Sequence, residues 1–412
     1  MLPRSSFAGS NISSVKAHNL QAILRTLLHQ GAISRVRIAQ LTGLSTTTIT
    51  NLVAELSDQG IVVEDGREPN HSGGVGRPRI PVRLVPSARY AVGVHIGVGD
   101  IRVAVADLFG QVQSYLTMSH APHAPAEEVL DRVADLVEQT ISSAKVDRNL
   151  VVGLGVGASG LVDPHTGLNV LAPNLNWRNL PIGDIFSERL GLPVCVDNNV
   201  RTMALAEAMF GAAQEINTLA FVYARVGVGA GFVMEGNIYR GSRAGAGEIG
   251  HTTIIMDGGV PCRCGNTGCL ETLVSEPEII RLAQDLAARH PKSTLAAKLS
   301  DSSKPTIEQV FDAARAGDKE TQAMLQERAH YMGIALANLV NSLNPDMIIM
   351  GGLFAAGHDV LLHQVEETMR RCAFANLGDS VELRVTTFGH KVGMIGAAAL
   401  ALDAFFYRQA VS

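Results

Sequence analysis

The sequence predicts an α/β protein in which an N-terminal winged helix-turn-helix precedes a duplicated α/β body. Three observations carry this. Helical patterns followed by two strand-like runs fill the first 86 residues. Beyond them, apolar strand-like runs alternate with amphipathic helices to the end of the chain. Within that alternation one pattern of strand, glycine turn and strand occurs twice. The chain has 412 residues, 46% of them hydrophobic and 18% charged, which suits about two or three domains with sizeable cores.

Leu20, Ile23, Leu24, Leu27 and Leu28 follow helical spacing, and Gly31 closes that helix. A second short helix fits Ser34–Thr42 with Ser34 as its N-cap, and Gly43 supplies a turn. Ser45 can cap a third helix with Ile49, Leu52, Val53 and Leu56 as its buried stripe. This is the helix-turn-helix order. Ser45, Thr46, Thr47, Thr48 and Asn51 open the third helix with small polar side chains that can approach bases and phosphates. Arg35 and Arg37 on the second helix join them as candidate DNA contacts. Ile61–Glu64 and Ile80–Leu84 read as the two strands of a wing, and Arg77 and Arg79 in its glycine-rich tip can enter a minor groove. Residues 1–86 carry nine Lys and Arg against five acids, while the remainder carries 25 against 34. A basic end on an acidic body points to a nucleic-acid module; a three-helix protein-interaction domain is the alternative.

After a linker at Pro86-Ser87-Ala88, Gly93–Asp107 and Phe221–Gly236 repeat the glycine hairpin. Such turns let backbone amides approach phosphates, or are tight hairpins and nothing more. Glu127–Ser143 reads as an amphipathic helix, Val151–Ala158 as a buried strand, and Pro193–Val196 as a strand leading to Asp197-Asn198-Asn199 and a helix over Val200–Met209. Helices near 276–290, 307–316, 319–342 and 358–371, strands near 346–350 and 381–387, and a terminal helix from about Met394 complete the alternation.

Between the second hairpin and those helices, Gly247-Glu248-Ile249-Gly250-His251 precedes Cys262-Arg263-Cys264-Gly265-Asn266-Thr267-Gly268-Cys269-Leu270-Glu271. One imidazole and three thiolates, His251, Cys262, Cys264 and Cys269, form the ligand set of a closed structural zinc site. The bland alternative is three buried cysteines and an unrelated histidine. Five cysteines with three clustered argue against a disulfide framework and for a reducing cytoplasm. The opening residues lack the apolar core of a signal peptide. Charges such as Arg225 and Asp403 interrupt the apolar runs, so no membrane span is expected.

Taken together, the hairpins, the Asp197–Glu207 segment, Ile238-Tyr239-Arg240-Gly241, the Gly247–Glu271 block and Asn344-Pro345-Asp346 with Gly351-Gly352 resemble the ROK family of repressors and sugar kinases. The resemblance covers nearly all of residues 12–405, and its winged helix is the mark of the family's regulators. It implies an actin-like fold of two ribonuclease-H-like domains, with sugar in the cleft between them. The division implied is a DNA-binding domain at 1–86, a first α/β domain at 87–198 joined by a C-terminal helix at about 393–412, and a second at 199–392. By position, Glu248, His251 and Glu271 would bind sugar hydroxyls, with Asn198, Asn199 and Asn174 also at the cleft. His251 would serve both metal and sugar.

The resemblance also separates regulator from enzyme. Family kinases carry an aspartate base where this chain has Asn199, an Asp-x-Gly-Gly-Thr hairpin where it has His95-Ile96-Gly97-Val98-Gly99, and Gly-Thr-Gly where it has Arg225-Val226-Gly227. An asparagine binds a hydroxyl but does not deprotonate it. The expectation is a sugar-responsive repressor of carbohydrate genes, not an enzyme. It would bind a near-palindromic DNA operator as a homodimer, or as a tetramer, and take a sugar or sugar-phosphate effector. An active sugar kinase with a DNA-binding appendage is the alternative, and a DNA-binding scaffold with a vestigial cleft is a third reading. Arg201, at the start of the helix after Asn199, would favour an anionic effector, unless it is an exterior arginine paired with a surface acid.

Overall fold

In the computed structural model, residues 12–64, 80–121, 124–300 and 304–408 are described. The head has three helices, α1 (Ile12–Gln30), α2 (Arg35–Thr42) and α3 (Thr46–Asp58). Leu20, Ile23, Leu24 and Leu27 form the buried stripe of α1, and Ile49, Val53 and Leu56 that of α3. Gly43 ends α2 in the left-handed conformation, and Ser45 caps α3 by accepting from Thr48 N at 3.1 Å. Ser34 holds the cap position of α2, but its side chain makes no capping bond. Strands β2 (Val62–Glu64) and β3 (Pro81–Leu84) pair antiparallel, and a strand not read from the sequence, β1 (Ile33–Ser34), pairs with the other edge of β3. The wing tip with Arg77 and Arg79 lies outside the described residues.

The body holds two five-stranded sheets. The first contains β4 (Tyr90–Ile96), β5 (Asp100–Asp107), β6 (Val112–Ser119), β7 (Val151–Ala158) and β11 (Val194–Asn198). Helix α4 (Ala126–Ala144) and helix α5 (Ile182–Leu190) pack against it, and a small sheet of β8 (Leu161–Asp163), β9 (Leu168–Ala172) and β10 (Trp177–Leu180) extends from it. Helix α6 (Asn199–Phe210) leads to the second sheet: β12 (Thr218–Ala224), β13 (Val228–Met234), β14 (Asn237–Tyr239), β15 (Met347–Gly352) and β16 (Glu382–Val385). Helices cover the second sheet. They are α7 (Glu271–Val274), α8 (Glu276–Arg289), α9 (Thr294–Ser300), α10 (Ile307–Arg315), α11 (Lys319–Leu343), α12 (Leu353–Ala356), α13 (His358–Cys372) and α14 (Leu377–Ser380).

The orders are β6-β5-β4-β7-β11 and β14-β13-β12-β15-β16. In each, an antiparallel meander of three strands is followed by two parallel strands. The repeated hairpin is thus the visible part of a repeated sheet, the duplicated arrangement of an actin-like fold. The last helix, α15 (Val392–Leu402), crosses back onto the first sheet. A Cβ on Gly155 of β7 would lie 1.9 Å from Ala397 O, so a bare backbone is needed for α15 to sit this close.

Helix α6 lies between the sheets. Its Met203, Leu205 and Met209 share one apolar core with Leu20, Ile23 and Leu27 of α1 and with Phe406 and Tyr407 beyond α15. Head and body are therefore packed as one. Just before α6, Asp197 is fully buried and lies 2.8 Å from Arg240 Nε and 3.0 Å from Arg201 Nε. The Arg201 Nε–H is not aligned for a hydrogen bond, so that contact is Coulombic. Arg201 also donates to Ala244 O at 2.8 Å. Neither expectation for Arg201 holds: it is 2% exposed, neither on the surface nor facing the cleft, because its charge is consumed inside the fold.

Two predictions follow from these buried groups. Asp197→Ala strands two guanidiniums, one of them without solvent, and should cost ~3–5 kcal/mol in urea unfolding. Arg240→Ala should cost less, about 1–3 kcal/mol, because Arg201 remains on the carboxylate. Equal losses would show that Arg201 contributes nothing. His95 on β4 is buried beneath Gly393, and burial pushes its pKa down to about 4. Its folded value lies below its unfolded one, so its stabilisation is complete above about pH 6.5 and is lost toward pH 4, up to ~3 kcal/mol. His95→Gln should flatten that part of the stability–pH curve; a curve parallel to wild type would refute the assignment.

Candidate functional site

A cleft of about 780 Å³ opens between the two sheets. It lies where parallel β4, β7 and β11 end together, at Ile96, Ala158 and Asn198, the end at which such sheets hold ligands. The opposite wall is built on β13. A Cβ on Gly247 would stand 1.9 Å from Ala230 O, and one on Gly250 would stand 2.2 Å from Val228 O. Gly247 also holds a positive φ of 102°. Two glycines three residues apart thus let this segment lie directly on the strand, with Gly247 O accepting from Ala230 N at 2.7 Å. Glu248 and His251 line the cleft from this segment.

All six residues expected at the cleft line it: Asn174, Asn198, Asn199, Glu248, His251 and Glu271. Their free hydrogen-bonding capacity differs. Asn198 caps α6, its Oδ1 accepting from Val200 N at 2.9 Å and Arg201 N at 3.2 Å, while its Nδ2 donates to Gly160 O. Asn199 Nδ2 donates to Ser159 Oγ at 3.2 Å, and its Oδ1 accepts from Val200 N. These amides mainly hold the helix start, leaving few donors for a ligand. Glu271 keeps more capacity, since Val228 N occupies only Oε2, at 3.0 Å. Glu248 is open to the cleft yet enclosed by protein atoms. That enclosure raises its pKa, and the charges of His251 and Arg201 oppose the rise.

At the far end the two hairpins face each other. Part of their amides is bonded within the protein: Gly97 N donates to Asp100 O, Gly99 N reaches His120 Nε2 at 3.2 Å, Arg225 N donates to Gly227 O, and Val228 N to Glu271. The gap is spanned by an ion pair, Arg225 Nη1 to Asp100 Oδ1 at 3.0 Å, with Arg102 also 2.8 Å from Asp100. Asp100 and Arg225 were missed in the sequence because partners 125 positions apart leave no local pattern.

The ligand atoms of His251, Cys262, Cys264 and Cys269 all lie within 4.8 Å of one another and could hold a metal ion. Cys262 Sγ is 3.6 Å from His251 Nδ1, and Cys264 Sγ is 3.8 Å from Cys269 Sγ. Short antiparallel pairings, Thr253 with Cys269 and Pro261 with Thr267, fold the loop that brings them together.

On the head, Ser45, Thr46, Thr47 and Asn51 are exposed at the start of α3, while Thr48 is half-buried with its hydroxyl 2.9 Å from that of Ser45. Arg37 is exposed. Arg35 is half-buried and tied to Glu64 of the wing at 2.6 Å, so its charge is already matched. Among the described residues, no helix is long and apolar enough to cross a membrane.

Comparison with known proteins agrees with this architecture. Residues 17–63 match the winged helix-turn-helix DNA-binding family. A xylose repressor of Caldicellulosiruptor bescii is 29% identical over 395 residues, 95% of this chain and 97% of the repressor. A glucokinase of Halalkalibacterium halodurans is 34% identical over 314 residues, 76% of this chain and 95% of the kinase. The crystal structure of a ROK family transcriptional regulator, a homologue of the E. coli MLC protein, superposes with a TM-score of 0.82 at 27% identity, covering 96% of this chain and 98% of that one. Residues 91–404, most of the chain, match the ROK family, and the protein belongs to that family.

Proposed function

We propose that this chain is a sugar-responsive transcriptional regulator that represses genes of carbohydrate uptake or catabolism. One observation carries the reading. The winged helix-turn-helix head shares a core with α6, whose first residues line a cleft where Glu248, His251 and Glu271 are grouped and Asn199 stands in place of an aspartate base. Glu248, His251 and Glu271 would accept and donate to sugar hydroxyls, Asn174 would donate, and Asn198 and Asn199 would chiefly shape the wall. Such a set penalises a sugar lacking the matching hydroxyl. Exposed Thr46, Thr47, Asn51 and Arg37, with the wing arginines, would contact DNA. Two-fold pairing of copies would give a near-palindromic operator. Residues 1–86, 87–198 with the C-terminal helix, and 199–392 would form the three working units, in a cytoplasmic protein.

The kinase reading is favoured by the glucokinase likeness. Against it, Asn199 stands where the family resemblance puts a kinase's base, and the Arg225–Asp100 ion pair spans the gap between the hairpins. Loss of a general base alone removes about 10²–10⁴ in rate. No appreciable ADP release is expected with glucose, mannose, xylose or N-acetylglucosamine, and Asn199→Asp alone should not restore it. Turnover above about 1 per second, the low end for kinases, would reverse the assignment. In gel shifts, one sugar of a panel of hexoses, amino sugars, xylose and their phosphates should change operator affinity. Unchanged DNA binding across the whole panel would end the effector idea.

The metal would be structural zinc. Zinc with sulfur at about 2.3 Å and nitrogen at about 2.0–2.1 Å gives tetrahedral edges of about 3.8 Å between sulfurs and about 3.6 Å between sulfur and nitrogen. Separations of 3.8 Å and 3.6 Å at Cys264–Cys269 and Cys262–His251 fit it. Holding His251 by Nδ1 would leave Nε2 for the ligand. The ion would stiffen a loop that glycines leave poorly stabilised on its own. Cys264→Ser should lose both zinc, by elemental analysis, and the sugar response. A response that survives metal loss would separate the two sites.

A further inference from the structure

One side chain of the metal loop reaches across the cleft. Arg263 lies between Cys262 and Cys264, two of the four grouped donors, yet is not among those donors itself. Its Nη1 donates to Asn174 Oδ1 at 2.9 Å. Asn174 sits in the turn between β9 and β10 on the opposite lobe. A guanidinium has donors only, so this contact fixes which end of the amide faces it. The Asn174 oxygen is turned to Arg263, and the NH2 is turned elsewhere. Asn174 itself lines the cleft. A Cβ on Gly227 would stand 3.6 Å from Asn174 Nδ2 and 3.2 Å from Glu271 Oε2. That Oε2 already accepts from Val228 N at 3.0 Å, and Oε1 is not used in that bond. An amide donor and a carboxylate with accepting capacity left thus border the same stretch of the cleft.

We propose that Arg263 is a positioning residue. It orients the Asn174 amide with its NH2 toward the ligand, and by the same bond fastens the metal loop to the first lobe. The metal loop and the sugar wall are then coupled by a single hydrogen bond across the cleft. This rests on the regulatory reading for the nature of the ligand, but the fastening itself does not. Asp100 and Arg225 join the lobes at the hairpin end, and Arg263 and Asn174 join them at the metal end.

The test is a double-mutant cycle of Arg263→Ala and Asn174→Ala in full-length, zinc-loaded protein, with two readouts. The first is calorimetric affinity for the responding sugar and its singly deoxygenated analogues. The second is the rate at which a chelator withdraws zinc without sugar present. Each single variant should keep its zinc content, bind sugar about tenfold more weakly and release zinc faster, and the double variant should be no worse than either single one. Wild type should penalise removal of one hydroxyl steeply. Arg263→Ala should flatten that penalty, and Arg263→Lys should restore part of it. Additive effects, or Arg263→Ala with wild-type affinity and release rate, would overturn the proposal. Should wild type bind no sugar of the panel, the regulatory reading loses its ligand, while the release-rate cycle still decides the Arg263–Asn174 coupling. Should Arg263→Ala fold poorly, Arg263→Met, which keeps the aliphatic stem and removes the donors, carries the same comparison with Asn174→Ala.

Discussion

A carboxylate without solvent, that of Asp197, is the constraint on which the rest of the body depends. It lies one residue before the end of a strand of the first sheet, just ahead of α6, and is matched by Arg201 from that helix and Arg240 from the second lobe. Burying an ion pair is expensive, and an apolar cluster of similar volume is often as stable. Such a node contributes register more than raw stability. Asn198 and Asn199 follow Asp197 directly, and Gly247–His251 follow Arg240 within a short loop. The two walls of the cleft are therefore placed by reference to one charge.

From that node α6 carries the geometry of the cleft into the head. Its first residues line the cavity, and its buried face belongs to the same core as α1. A second tie runs beside it: Arg25 of α1 lies 2.8 Å from Asp403, a carboxylate only 6% exposed. Any rotation of the lobes that moves α6 or the end of the chain must move α1 as well, since close-packed interiors shift as units. A ligand exploits this only by binding one lobe arrangement better than another. Groups contributed from both sides of the cleft meet that requirement, because their spacing changes as it closes.

The sequence was most legible where the determining pattern is local. Helical stripes, glycine caps and the His251–Cys269 spacing all lie within a turn or a loop, and each of them was read. So was the repeat, because a glycine hairpin survives as a short motif. Strands β6, β8, β9 and β10 and helix α5 were not read, since their burial depends on neighbours distant in the chain. Arg201 shows the same limit at one residue. In the first turn of α6 it reads as an exterior arginine with a surface acid for partner, and only the tertiary fold removes the water. Asn198 and Asn199 were placed at the cleft correctly, but capping had already claimed much of their hydrogen-bonding capacity. Arg263, lying among the cysteines, carried no signal that its partner was Asn174, 89 positions earlier.

The Arg225–Asp100 pair across the hairpins bears on the proposal that this cleft binds a sugar without transforming it. A phosphate cradle needs backbone N–H groups that point outward and have no partner of their own. Gly97, Gly99 and Val228 point theirs at Asp100, His120 and Glu271, and the Arg225–Asp100 pair spans the gap where the two hairpins oppose each other. Opening that gap for an anion would cost that ion pair. A regulator gains from this. A sugar that is phosphorylated leaves as a different molecule, and the closed state leaves with it. On the regulatory reading, a sugar that is only bound would hold the lobes together for as long as its concentration lasts, and the head would report on supply and not on turnover.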